Sequence, residues 1–380
     1  MKAALPRVTL AFGTRPEAIK MAPVVRAFRA DARFAPRVVV TGQHRQMLDA
    51  VLATFEIVPD ADLNVMTPNQ SLAGLTARTL TAFDAELRAH PADLVLVQGD
   101  TTAAFAAGLT AFYHRTPVGH VEAGLRTGDL MSPWPEEANR VLLTRLAALH
   151  FAPTAATRDN LLWDGVPAGR IHLVGNTVVD ALHLALDRLD RAPVEVPGLP
   201  AGFLAGGGPL VLVTGHRREN FGPGFEAICH AVADLARLFP AARFVYPVHL
   251  NPNVRGPVGD ILRAAGAANV ALLEPLGYLE FLTLFRRAAV VLSDSGGVQE
   301  EAPTLGKRVV LMRDTTERPE AVASGHVQLV GPHRERIVAA TSAILNGSAP
   351  PLLPGNPYGD GHAATAIADI CHAHLSGVPA

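Results

Sequence analysis

The chain has 380 residues, enough for two to three domains. Hydrophobic residues make up 49%, charged residues 18% and aromatics 6%, so any core must rest on Ala, Val and Leu. A net charge of −2 excludes a generic nucleic-acid binder, whose surface would be basic, and leaves room for a local anion site.

Short β-branched runs alternate with longer Ala- and Leu-rich amphipathic stretches. In the first half this predicts strands at Val8–Phe12, Arg37–Thr41, Leu94–Gln98, Val118–Val121 and around His150–Phe151. Helices fall between them, near Glu17–Ala30, Arg45–Phe55, Leu72–His90, Thr102–His114 and Glu136–Ala147. Strands separated by helical stretches of this length indicate βαβ units and a parallel sheet. Residues 187–208 are rich in Pro and Gly and break the pattern, as a linker would. The alternation then restarts with strands at Leu210–Thr214, Arg243–Pro247, Val270–Leu273, Val290–Ser293, Arg308–Met312 and Val327–Val330. A helix is predicted near Phe225–Phe239 and a last one near His362–Leu375.

The fold expected is α/β: two doubly wound, Rossmann-like domains with a ligand cleft between them. The domains are placed at 1–186 and 209–357, with 187–208 as linker and 358–380 as a terminal helix. Cys229 and Cys371 sit among apolar residues and read as buried helix positions in a reducing compartment. The first twenty residues lack a signal-peptide pattern, and no uncharged apolar run reaches spanning length. A cytoplasmic protein with no membrane partner is the expectation.

Doubly wound folds bind ligands outside the carboxyl ends of their strands, so the residues following each strand carry the functional signal. Gly13-Thr14-Arg15-Pro16-Glu17-Ala18-Ile19-Lys20 brings two cations to a helix start, against the helix dipole, which suggests an anion. Gly99-Asp100 and Glu122-Ala123-Gly124-Leu125-Arg126 place carboxylates directly after apolar strands; Asp100 reads equally as a helix N-cap. Glu136 and Glu137 open a helix, where dipole pairing is the plainer explanation. In the second half, Gly215-His216-Arg217-Arg218 could clamp a phosphate, and His249 follows another strand. Asp294-Ser295-Gly296-Gly297 opens a helix with exposed N–H groups, with Glu301 about one turn on and Arg318 further along. One diphosphate-bearing ligand explains these features together. Gly222-Pro223-Gly224-Phe225-Glu226-Ala227 mimics a dinucleotide fingerprint but lies seven residues beyond its strand and lacks the acidic partner, and no zinc-type His spacing occurs. Neither NAD nor a metal is expected.

Several of these segments together resemble the non-hydrolysing UDP-N-acetylglucosamine 2-epimerases. They are Phe12–Lys20, His120–Arg126, Ser132–Arg140, Thr214–Glu219, Asp294–Glu301, Met312–Ala321 and Asn356–Gly361. The resemblance covers nearly the whole chain and implies a GT-B-like fold whose last helix returns to the N-terminal domain. It implies reversible conversion of UDP-GlcNAc to UDP-ManNAc at C2, through loss of UDP and a 2-acetamidoglucal, supplying a precursor of cell-surface polysaccharide. Asp100, Glu122 and Glu136 are similar to the family's catalytic carboxylates. His216, also counted with the catalytic groups, surrounds the phosphates with Arg15 and Arg318, and Lys20 lies nearby. Ser295, Gly296 and Gly297 match the diphosphate site, Glu301 the ribose contact and Phe281 the uracil contact. Gln43, Gln46 and His249 resemble part of a site for a second, activating UDP-GlcNAc. A homodimer is implied. Leu276 stands where close relatives carry Gln, which bears on uracil recognition. A hydrolysing epimerase, an epimerase for a related UDP-2-acetamido sugar, a GT-B glycosyltransferase and a silent sugar-nucleotide sensor remain alternatives.

Overall fold

The computed structural model describes residues 4–42, 45–67 and 70–377, without the side chains of residues 45–47 and 218. The chain divides into two compact units, one comprising Met1–Ala185 and Tyr358–Ala380, the other Leu186–Pro357. No helix among the described residues is long and apolar enough to cross a membrane.

The first unit runs β1 (Arg7–Phe12), α1 (Arg15–Ala30), β2 (Ala35–Val40), α2 (Arg45–Thr54), β3 (Ala61–Asp62), α3 (Leu72–Ala89), β4 (Leu94–Gln98) and α4 (Thr102–Tyr113). It continues with β5 (Val118–Val121), α5 (Glu136–Leu146), β6 (Leu149–Ala152), α6 (Ala155–Trp163), β7 (Ile171–Leu173) and α7 (Thr177–Arg191). Its sheet is parallel, in the order β3-β2-β1-β4-β5-β6-β7. β4 is buried at all five residues, and its Leu-Val-Leu-Val run packs against helices on both faces.

The second unit contains β8 (Leu210–Thr214), α8 (Pro223–Leu238), β9 (Arg243–Pro247), α9 (Pro252–Pro257), α10 (Arg263–Ala265), β10 (Val270–Leu273), α11 (Tyr278–Arg287), β11 (Ala288–Ser293) and α12 (Gly296–Leu305). β12 (Val309–Leu311), α13 (Pro319–Ala323), β13 (Val327–Leu329) and α14 (Arg334–Leu345) complete it. The strand order β10-β9-β8-β11-β12-β13 is that of a doubly wound dinucleotide-binding sheet. Helix α15 (Ala363–Ser376) belongs to the first unit, where Ala364, Ile367, Ala368 and Cys371 join the core of α1 and β1. Cys229 and Cys371 are free and buried.

Each sheet reverses its order between its first and fourth strands, at β1/β4 and at β8/β11, the crevice where such sheets bind ligands. The observed strands agree with the alternation read from sequence to within about two residues. The short strands β3 and β7 do not stand out in sequence because they are brief and partly exposed. Helix α7 reaches Arg191, so the first residues of the Pro/Gly-rich 187–208 stretch are helical and continue an amphipathic pattern begun at Thr177.

Two histidines are sealed inside the first sheet. His120 on β5 and His150 on β6 are register partners, and both are buried. Burial holds the His120 imidazole at about 3 and the His150 imidazole at about 4. His120 Nε2 lies 2.7 Å from the Gly99 carbonyl, which can only accept, so Nε2 carries the proton. Unfolded histidine titrates near ~6.5, so below that pH the unfolded chain gains protons that the folded sheet refuses. Stability is therefore fully present above about pH 6.5 and declines as pH falls toward 4, by about 2 kcal/mol per histidine between pH 7 and 5. Both tryptophans, Trp134 and Trp163, lie in this unit. Urea unfolding followed by their fluorescence should show a lower midpoint at pH 5 than at pH 7; equal midpoints would contradict the assignment of neutral buried histidines.

Candidate functional site

In the first unit, one buried carboxylate organises the β1/β4 crevice. Thr14 caps α1, and Glu17 completes a capping box by accepting from Gly13 N at 2.9 Å and Thr14 N at 2.7 Å. The other oxygen of Glu17 accepts from Thr101 Oγ1 at 2.5 Å, and Thr101 in turn caps α4 through Ala104 N. Burial pushes the Glu17 carboxyl up, against the pull of the Thr101, Gly13 and Thr14 donors. The loops leaving β1 and β4 are thus tied through a single side chain. Arg15 is the first residue of α1 and is half-buried there.

Lys20, less than one helical turn beyond Glu17, reaches Glu122 and donates to its Oε1. Both side chains are buried. Glu122 Oε1 also accepts from Asn176 Nδ2 at 3.1 Å, and Oε2 accepts from Gln98 Nε2 at the end of β4. The backbone of Glu122 is left-handed, with φ of +64°. A non-glycine residue is held there at a cost of about 1–3 kcal/mol, and such strain concentrates at working sites.

Asp100 is gripped from α5: Arg140 Nη2 donates to its Oδ2 at 2.5 Å, and Asn139 Nδ2 donates to its carbonyl at 2.9 Å. The two carboxylates at the ends of β4 and β5 therefore answer to different cations, Arg140 and Lys20. Of the glutamates that open α5, Glu137 is the structural one. It is buried, accepts from Thr127 N and Gly128 N, and pairs with Arg140 at 3.1 Å. Glu136 is half-buried at the first position of α5. Arg126 is engaged in structure, donating to Asp164 and Thr144.

The second unit repeats the arrangement with a carboxylate from the neighbouring strand. Asp294, fully buried at the end of β11, accepts from His216 N and Arg217 N at 2.9 Å each and from Asn220 Nδ2 at 3.2 Å. It holds the turn after β8 across the β8/β11 reversal. The His216 ring stacks on His249 with centroids 5.5 Å apart, so these two residues meet. Gln43 lies outside the described residues, as does the side chain of Gln46.

Ser295 occupies the N-cap position of α12, and Gly296 and Gly297 form its first turn. A Cβ on Gly296 would stand 2.9 Å from Arg318 Cζ, so the guanidinium lies across the helix start and a side chain there would have to displace it. Arg318 is fixed by Glu300 at 2.7 Å and by Glu317. Burial alone would push the Glu317 carboxyl up, but Arg318 and Arg313 beside it, with backbone donors and Arg217, hold it well below the usual range. A fixed guanidinium beside open helix N–H groups suits an anion. Glu301, one turn into α12, accepts from Tyr278 Oη at 2.8 Å, and Phe281, three residues after Tyr278, lies edge-on to Phe285. Leu276 is buried just before α11.

Gln98, Asn176, Glu17, Arg140 and Asp294 hold the strand-end groups, and sequence reasoning assigned none of them a role. Gln98 carried a signal, as a lone polar residue closing an otherwise apolar strand.

These features define a protein of the doubly wound, Rossmann-like α/β class with charged groups collected at the carboxyl edges of both sheets. The chain belongs to the UDP-N-acetylglucosamine 2-epimerase family, whose model matches residues 26–372. It is 53% identical over 366 residues to the UDP-N-acetylglucosamine 2-epimerases of Escherichia coli (strain K12) and Yersinia pestis, in each case covering 95% of this chain and 97% of the relative. The crystal structure of UDP-GlcNAc 2-epimerase from Neisseria meningitidis bound to UDP-GlcNAc is similar with a TM-score of 0.90 at 46% identity, over 96% of this chain and 99% of that one.

Asp294→Ala leaves the His216 and Arg217 amides and the Asn220 carboxamide without this acceptor. Urea unfolding followed by circular dichroism should show a loss of about 3 kcal/mol. A variant as stable as the parent would show that Asp294 does not hold the turn.

Proposed function

We propose that the protein interconverts UDP-N-acetylglucosamine and UDP-N-acetylmannosamine by reversible, non-hydrolytic epimerisation at C2. The observation that carries this reading is Glu122, a buried carboxylate in strained backbone at a strand end, held by one cation and two amides. The relatives' names and the UDP-GlcNAc bound to the Neisseria meningitidis enzyme support the substrate.

The chemistry explains why acid–base residues and a diphosphate grip are needed together. The C2 proton is not adjacent to a carbonyl, so its direct removal is very slow. In the proposed route a carboxylate takes that proton while the C1–O bond to UDP breaks. The C2–H electron pair becomes the C1=C2 bond of 2-acetamidoglucal, and the C1–O pair leaves with the diphosphate. Protonation of C2 from the opposite face, with UDP returning to C1, gives the epimer. Two carboxyl groups must act on opposite faces, and we assign this work to Asp100, Glu122 and Glu136. The departing diphosphate gathers charge that fixed donors stabilise. We assign that role to the α12 N-terminus at Ser295–Gly297 with Arg318, Arg15 and His216, and the ribose to Glu301. The net change is redox-neutral, and the proposal invokes neither NAD nor a metal.

Incubation with UDP-GlcNAc in D₂O, followed by NMR, should give UDP-ManNAc with deuterium at C2. Free ManNAc would indicate hydrolysis instead, and no change would leave a transferase or a sensor as the better reading. Asp100→Asn and Glu122→Gln should each lower kcat by at least ~10²-fold with UDP affinity largely kept; near-parental turnover in either removes that residue from the mechanism.

A further inference from the structure

The segment Tyr358–Gly361, part of a motif the proposed chemistry does not use, lies against the loop and helix that follow β7. The Tyr358 carbonyl accepts from Asn176 N at 2.8 Å. Gly175 and Gly359 cross so closely that a Cβ on Gly175 would stand 3.0 Å from the Tyr358 oxygen, and one on Gly359 would stand 3.2 Å from Gly175 Cα. Both glycines have positive φ, +88° and +100°. Further on, the Asp180 carboxylate accepts from Ala364 N at 2.9 Å at the start of α15. The contact is therefore anchored at both ends and tolerates no side chain where the backbones cross.

Asn176 is the residue this contact fixes. It is buried, and each of its polar atoms has a hydrogen-bond partner, the backbone carbonyl accepting from Val179 N. Its N–H goes to Tyr358, and its Oδ1 accepts from Val178 N at 3.0 Å. That acceptor role settles the carboxamide orientation and turns Nδ2 toward Glu122 Oε1. We propose that the Tyr358–Gly361 segment and Gly175 act as a positioning device for Glu122, with Asn176 as the positioning residue that sets the orientation of its carboxylate. The inference rests on the reading of Glu122 as an acid–base group.

Asn176→Asp and Gly175→Ala test this together. Asn176→Asp keeps the shape, the backbone N–H to Tyr358 and an oxygen for Val178 N, and an Asp before α7 suits the helix dipole. It removes the donor to Glu122 and sets a carboxylate against it. That new charge perturbs Glu122 whatever the role of Asn176, so a fall in this variant counts for positioning only when Gly175→Ala, which adds no charge and leaves the Asn176 carboxamide in place, shows it too. The positioning role requires kcat to fall ~10- to 100-fold with KM and UDP affinity within about threefold of the parent. Gly175→Ala, which pushes on the Tyr358 carbonyl, should show the same split. Both variants turning over within twofold of the parent, while Glu122→Gln loses turnover, would overturn the positioning role alone. A Glu122→Gln enzyme that keeps turnover overturns the reading of Glu122 and the positioning role with it.

Discussion

A lysine and a glutamate, both withdrawn from water, face each other at the carboxyl edge of the first sheet, and the local architecture follows from keeping them together. Both side chains are buried, and removing one partner of such a pair typically costs about 3–5 kcal/mol. The pair needs Lys20 at a fixed height and rotation on α1. The Thr14–Glu17 capping box sets both, because it fixes where the helix begins. Glu17 also binds Thr101, so the start of α1 is referenced to the end of β4, where Gln98 supplies another donor to Glu122. Cap, strand end and ion pair form one connected hydrogen-bonded unit around the sheet's reversal.

The second unit solves the same geometric problem from a different direction. At the reversal of a doubly wound sheet, the turn leaving the first strand carries amide groups past the end of the backbone ladder, where they need another acceptor. In the first unit the acceptor is a glutamate from the helix that follows; in the second it is Asp294 from the strand across the crevice. Either way a buried carboxylate shapes the turn while Arg15 and His216, to which we assign the diphosphate, stay more exposed. The carboxylates that hold each turn are therefore more deeply buried than the side chains to which the proposal gives the ligand.

That separation explains what the sequence makes legible. Strands β4 and β8 are Leu-Val runs, and β11 carries Val-Val-Leu, because both faces are covered there, and they stand out for that reason. The half-exposed β7 carries no such run, and α7 hides because its amphipathic pattern runs into a Pro/Gly-rich stretch. At the sites, Glu122 and His216 stand out as titratable groups just after apolar strands, whereas Asp100 reads equally as a cap and Arg318 lies seven residues beyond β12. Asn176 does not stand out, since a neutral amide ahead of a helix is an ordinary cap, and its tie to Glu122 spans 54 residues. Arg140 and Glu137 look like any exposed helical ion pair until the fold shows both buried beneath Asp100. The pattern records where a chain is apolar or charged; it is silent on which distant group satisfies which.

The make-up of the Glu122 environment has its own electrostatic logic. Glu122 Oε1 receives Lys20 and Asn176, and Oε2 receives Gln98. A buried carboxylate needs its lone pairs satisfied, but each added cation would carry its own desolvation penalty and leave the site net positive. One lysine balances the charge, and two carboxamides fill the remaining directions without altering it. Amides also orient better than ammonium groups, because their planar geometry fixes the donor direction whereas a lysine rotates freely. The proton transfer we assign to Glu122 is best served by donors that set its direction without adding a second positive charge. The strained φ at Glu122 fits the same logic: the turn aims the carboxylate, and the buried donors supply the energy that keeps it there.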